Sequence, residues 1–140
     1  MNESAVWQYL KRGMMGLWQA NRIESSAGNG VPDVCYSLPG KHGWIELKYI
    51  KAWPVRATTK VKLPLRPEQK LWISVRGKMS GNVWVFIRIY DTFYLLNHDQ
   101  AIDACDGWTH DEWAIKSTLF WYKKIDFGRL QYELEWSYQK

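Results

Sequence analysis

The chain has 140 residues, 46% of them hydrophobic and 24% charged, with a formal net charge of +5. That length suits one compact domain with a single core, residues 1–140, and the composition excludes a disordered or fibrous chain. Val83-Trp84-Val85-Phe86-Ile87 is too short to cross a bilayer and no apolar leader opens the chain, so a soluble, cytoplasmic protein without a membrane partner is expected. Cys35 and Cys105 form no Cys-x-x-Cys pair, and His42, His98 and His110 lack ligand spacing, so no zinc centre is supported.

From Glu3 to about Ile23, Val6, Leu10, Met14, Leu17 and Trp18 recur at three- and four-residue steps, which predicts an amphipathic helix weakened at Gly13 and Gly16. Ser25 to Gly30 reads as a loop. Val31–Leu38 and Trp44–Ile50 read as strands joined through the turn at Pro39–Gly43. Lys51 to Leu65 has no period and reads as an extended, mobile loop able to lie over a substrate. Pro67 opens a helix with Leu71, Trp72 and Val75 on one face and Gly77 as its cap.

Val83–Tyr90 and Phe93–Leu96 are apolar enough to be buried strands, with Asp91-Thr92 as their turn. Asp99–Cys105 suggests a short helix, and Thr109 with Glu112 has capping-box spacing. Asp126 suits the cap of a last helix, although Arg129–Tyr138 also fits a strand. The expected class is α/β, with a central mixed sheet flanked by helices.

The charge is unevenly spread. Residues 1–40 are neutral and residues 79–140 carry net −3, whereas residues 41–78 hold ten basic side chains against Glu46 and Glu68, net +8. Clustered charge of this kind attracts a polyanion, most simply a phosphate backbone. Lys51, Arg56, Lys60, Lys62, Arg66 and Lys70 are the candidate DNA contacts, and Trp53, set among the basic residues of the loop, is a candidate for base stacking.

Strand alternation along Trp44-Ile45-Glu46-Leu47-Lys48-Tyr49 puts Trp44, Glu46 and Lys48 on one face. If the two strands pair, Asp33 comes beside Glu46. Two converging carboxylates repel unless a cation lies between them, and such oxygen ligands suit Mg²⁺ or Mn²⁺. A lysine alongside can orient or deprotonate a water and stabilise charge on a phosphate. Taken alone, Glu46 and Lys48 are an ordinary ion pair on one face of a strand. Pro32-Asp33, a turn, Glu46-Leu47-Lys48 and then a basic helix make a more specific set.

Pro32-Asp33 with Glu46-Leu47-Lys48 resembles the PD-(D/E)XK nuclease signature. Gly30-Val31-Pro32-Asp33-Val34, Glu46-Leu47-Lys48 and Gln69 together resemble its VRR-NUC branch, the virus-type replication-repair nucleases, over roughly residues 3–90 of a core expected to span about 3–97. The resemblance implies a restriction-endonuclease-like core and metal ligation by Asp33, Glu46 and the main-chain carbonyl of Leu47. It implies that Lys48 acts on the attacking water, that Gln69 faces the site, and that an acidic residue of the first helix, assigned to Glu24, contributes.

Stand-alone members, often phage- or prophage-encoded, resemble Holliday-junction resolvases in working as homodimers on branched DNA. The expected activity is therefore Mg²⁺- or Mn²⁺-dependent endonuclease cleavage. A nuclease acting on flaps, on ends or with little structural preference is the alternative, as is a DNA-binding module without catalysis. Residues 98–140 depart from the minimal motif set, and are expected to form a helical extension serving dimerisation.

Overall fold

The computed structural model describes residues 2–23 and 30–136. Helix α1 (Glu3–Gly13) starts where Asn2 accepts a hydrogen bond from the Ala5 amide at 3.0 Å, and it buries Val6, Trp7 and Leu10. The helix expected to reach Ile23 stops at Gly13, and Gly16 follows with φ of +79°, a conformation that ends a helix without a side-chain clash. The chain returns as strand β1 (Gln19–Arg22), which the apolar periodicity did not reveal because its QANR residues are largely exposed at a sheet edge.

Strands β2 (Val34–Leu38) and β3 (Lys41–Ile50) form the expected hairpin, with Val34 opposite Ile45 and Leu38 opposite Lys41. Helix α2 (Pro67–Ser80) then carries the chain to strand β4 (Val83–Ile89), which lies parallel to β3 with Glu46 beside Val85 and Lys48 beside Ile87. A parallel neighbour needs such a crossover. Gly77 lies inside α2, where there is no room for a side chain against His98, and Gly81 is the cap instead. Strand β5 (Thr92–Asn97) pairs antiparallel with β4.

The C-terminal segment holds α3 (His98–Ala104), α4 (His110–Lys116) and α5 (Phe127–Trp136). Thr109 and Glu112 exchange the two capping hydrogen bonds, at 3.3 and 3.0 Å. Asp126 Oδ1 accepts from the Arg129 amide at 3.0 Å, so the 129–136 stretch is helical and not a strand. The segment is not purely helical, however. Leu119–Tyr122 forms strand β6, antiparallel to β5, and completes one six-stranded mixed sheet ordered β1-β2-β3-β4-β5-β6. Four aromatic and apolar residues in a row carry no period, which is why this strand was not foreseen.

The sheet has a core on each face. Val34, Tyr36, Ile45, Leu47, Trp84, Phe86 and Leu95 pack with Val6, Leu10 and Met14 and with Leu130 and Leu134 of α5. On the other face Val83, Val85, Ile87, Tyr94 and Leu96 pack with Ile73 of α2, Ala101 of α3 and Trp113 of α4. The 51–66 connection is anchored and not free. Val61 and Leu63 are buried, Val61 and Trp108 exchange backbone hydrogen bonds at 2.7 and 3.0 Å, and the Leu63 amide donates to Ala104 at 2.9 Å. The C-terminal helices thus hold the basic connection in place. No helix among the described residues is long and apolar enough to cross a membrane.

Candidate active site

Strand β3 divides its residues as alternation requires: Ile45 and Leu47 enter one core, while Glu46 and Lys48 face α2. Continuing the hairpin register by one residue brings Asp33 opposite Glu46. Asp33 is fixed there by two bonds. Its carbonyl accepts from the Ile23 amide at 2.6 Å, and its Oδ2 accepts from the Leu47 amide at 2.9 Å. Gly30 has φ of +82°, and a Cβ there would lie 2.2 Å from the Glu68 carbonyl oxygen. Only glycine lets this loop touch the first turn of α2, which carries Gln69.

Glu46 is 1% exposed, an unusual place for a carboxylate. Gln69 Nε2 donates to Glu46 Oε2 at 3.0 Å, and Lys48 Nζ lies 3.4 Å from the same oxygen. Gln69 Oε1 accepts from the Arg66 amide at 2.9 Å and from Lys48 Nζ at 3.3 Å. Both ends of the amide are therefore committed, and Gln69 orients the acid and the lysine together. Glu46 Oε1 is buried and meets no hydrogen-bond donor among the described residues. Burial, followed by the charge of Asp33, pushes the Glu46 carboxyl up to about 8, against the opposing pull of Lys48.

A third carboxylate joins these two. Glu3, in the first turn of α1, brings an oxygen to the cluster, and one oxygen from each of Glu3, Asp33 and Glu46 lies within 4.8 Å of the others. An all-oxygen set of this size fits Mg²⁺ or Mn²⁺, and a cation would satisfy both the buried Oε1 and the mutual repulsion of the acids. Chemically, the arrangement is a carboxylate cluster that could hold a cation, with an ammonium group next to it.

The chain shares its fold with an archaeal Holliday junction resolvase. That protein is Hjc of Archaeoglobus fulgidus, matched with a TM-score of 0.54 and 13% identity over 81% of this chain and 88% of the other. The likeness is one of fold, a mixed sheet flanked by helices, and is consistent with a restriction-endonuclease-like α/β core. No protein-family model matches the sequence, and no curated protein matches it.

The sequence-predicted residues Asp33, Glu46, Leu47, Lys48 and Gln69 are brought together. Glu24 lies outside the described residues, and α1 ends at Gly13, well before it. Glu3 was missed, yet a signal existed. Glu3, Val6, Leu10 and Met14 are spaced three, four and four apart, so a carboxylate heads the stripe that packs on the sheet. Lys51, Arg56, Lys60, Lys62 and Arg66 are exposed and Lys70 is half-buried. Trp53 is half-buried and packs edge-on against Tyr94 at 6.2 Å and His110 at 4.3 Å, leaving part of its ring at the surface.

Proposed function

We propose that the protein is a divalent-metal-dependent endonuclease that hydrolyses DNA phosphodiester bonds, with branched DNA as its preferred substrate. The observation that carries this reading is a buried carboxylate oxygen of Glu46, unpartnered among the described residues, beside two further acids and a lysine. Glu3, Asp33, Glu46 and the Leu47 carbonyl would hold the ion, which supplies Lewis acidity toward a phosphoryl oxygen and lowers the pKa of water. Lys48 orients the attacking water and stabilises negative charge gathering on the phosphate, and Gln69 keeps Lys48 and Glu46 in register. Lys51, Arg56, Lys60, Lys62, Arg66 and Lys70 neutralise the backbone, and Trp53 serves as a stacking partner for an unpaired base.

The preference for branched DNA rests on the resolvase fold and on the motif likeness to stand-alone VRR-NUC enzymes of phage or prophage type, which would act in the host cytoplasm. A homodimer is part of the same reading, because symmetric cutting of a junction needs two sites. Leu71, Val75 and Met79 support it. They form an i, i+4, i+8 stripe along α2, each at least half exposed, of the kind a second copy would cover.

The test is cleavage of a labelled four-way junction beside matched duplex and single strand, in Mg²⁺ and in Mn²⁺, with Asp33→Asn as the blank. Paired symmetric nicks confined to the junction support the reading. Equal cutting of all three substrates removes the branch preference, and no cutting by the wild type removes the nuclease.

A further inference from the structure

Three basic side chains far apart in sequence meet on the sheet face opposite the 51–66 connection. Arg12 of α1, Arg88 of β4 and Lys123, just after β6, line a groove of about 400 Å³ together with Gln8, Tyr9 and Phe93. No carboxylate lines it among the described residues. Arg88 is the one charged residue in VWVFIRI, a strand that is otherwise buried and apolar. Its guanidinium lies 5.1 Å over the Phe93 ring, and its Nε donates to the Tyr90 carbonyl at 2.8 Å. Tyr9 packs on Phe93 at 5.4 Å and accepts from the Ile125 amide at 3.1 Å, so the aromatic floor is fixed. A planar guanidinium held over a rigid ring is a geometry suited to a phosphate.

The groove connects with the candidate active site along α1, whose Glu3 end reaches the acidic cluster. Arg88 is the β4 partner of Tyr49, so it faces α1, on the opposite side of the sheet from Glu46 and Lys48. Glu3 and Arg12 belong to the same helix, nine residues apart, so at about 1.5 Å per residue they lie roughly 14 Å from each other along its axis. For a duplex lying along α1, at about 3.4 Å of axial rise per strand phosphate, that would be some four nucleotides. The linear charge profile hides this surface, because Arg12 comes from a neutral segment and Arg88 and Lys123 from an acidic one.

We propose, on the reading of the chain as a DNA nuclease, that Arg12, Arg88 and Lys123 form a second backbone-binding subsite. It would grip the strand a few nucleotides from the scissile bond, while the 51–66 segment holds DNA on the other sheet face.

Binding of a labelled four-way junction, followed by fluorescence anisotropy in metal-free buffer from 50 to 200 mM salt, tests it. Wild type is compared with Arg12→Gln/Lys123→Gln, with that pair plus Arg88→Gln, and with Lys60→Ala/Lys62→Ala. Both residues of the groove pair are exposed, so this variant reports even if the triple fails to fold. With about 0.9 of log–log salt slope per phosphate contact, the pair should flatten the slope by nearly two and weaken binding about tenfold or more near 100 mM. Unchanged slope and affinity in the groove variants, beside weakened binding in Lys60→Ala/Lys62→Ala, would overturn the subsite and leave the nuclease standing. A wild type that binds no DNA would overturn both.

Discussion

Strand β3 shows what its two faces are for. Ile45 and Leu47 are fully enclosed by apolar side chains, and each such burial stabilises the fold by roughly 1.5–3 kcal/mol. Glu46, between them in sequence and as deeply buried, does the opposite: it is a carboxylate whose burial opposes ionisation. The same backbone thus supports a stable core on one side and a destabilised, chemically poised acid on the other. The lesson is that the rigidity of the first face makes the second possible, because Lys48, Gln69 and Asp33 meet Glu46 on a strand that has neighbours on both sides.

The sharpest way to separate the faces is Lys48→Ala. Cleavage should fall by about a thousandfold while the melting temperature and the DNA dissociation constant stay near wild type, since Lys48 makes its contacts only at the site. Steady-state cleavage, calorimetry and anisotropy check this, and a Lys48→Ala protein with wild-type cleavage would break the assignment. Leu47→Ala should act through stability instead, costing about 2–5 kcal/mol in urea denaturation. A loss below about 1 kcal/mol would mean that this face is not the dry core described.

The smallest effect should come from Glu46→Gln in metal-free buffer. The Glu46 carboxyl titrates near 8 in the folded protein against an ordinary value of 4.5, so the native state binds the extra proton between those pH values. Its contribution to stability is present below about 4.5 and is lost as pH rises toward 8. Glu46→Gln removes that dependence and should be more stable than wild type by about 1 kcal/mol or more at pH 8, with little gain at pH 5. Urea titrations at the two values decide it, and an equal gain at both would deny the buried-acid account.

Much of this was legible in the sequence, and unevenly so. Strands β2, β3, β4 and β5 and helix α2 announced themselves by period, by Pro67 and by turn residues, and Asp33, Glu46, Lys48 and Gln69 by motif spacing. What failed to show was structure set by distant partners. QANR becomes a strand only because β2 offers it an edge, and Leu119–Tyr122 only because β5 does. Glu3 was obscured by the expectation of one long helix, which drew attention to Glu24 at the far end. The 51–66 connection looked free because its anchors, Val61 on Trp108 and Leu63 on Ala104, join residues more than forty positions apart.

The central claim, that Glu3, Asp33 and Glu46 bind a divalent metal, is tested most directly by the melting temperature on titration with Mn²⁺ at pH 6 and pH 8, in wild type, Asp33→Asn and Glu3→Gln. Mn²⁺ should raise the wild-type midpoint, and more at pH 8, where less work is needed to ionise Glu46, with the rise abolished in Asp33→Asn and reduced in Glu3→Gln. A wild-type midpoint indifferent to Mn²⁺, or an equal rise in all three proteins, would contradict it.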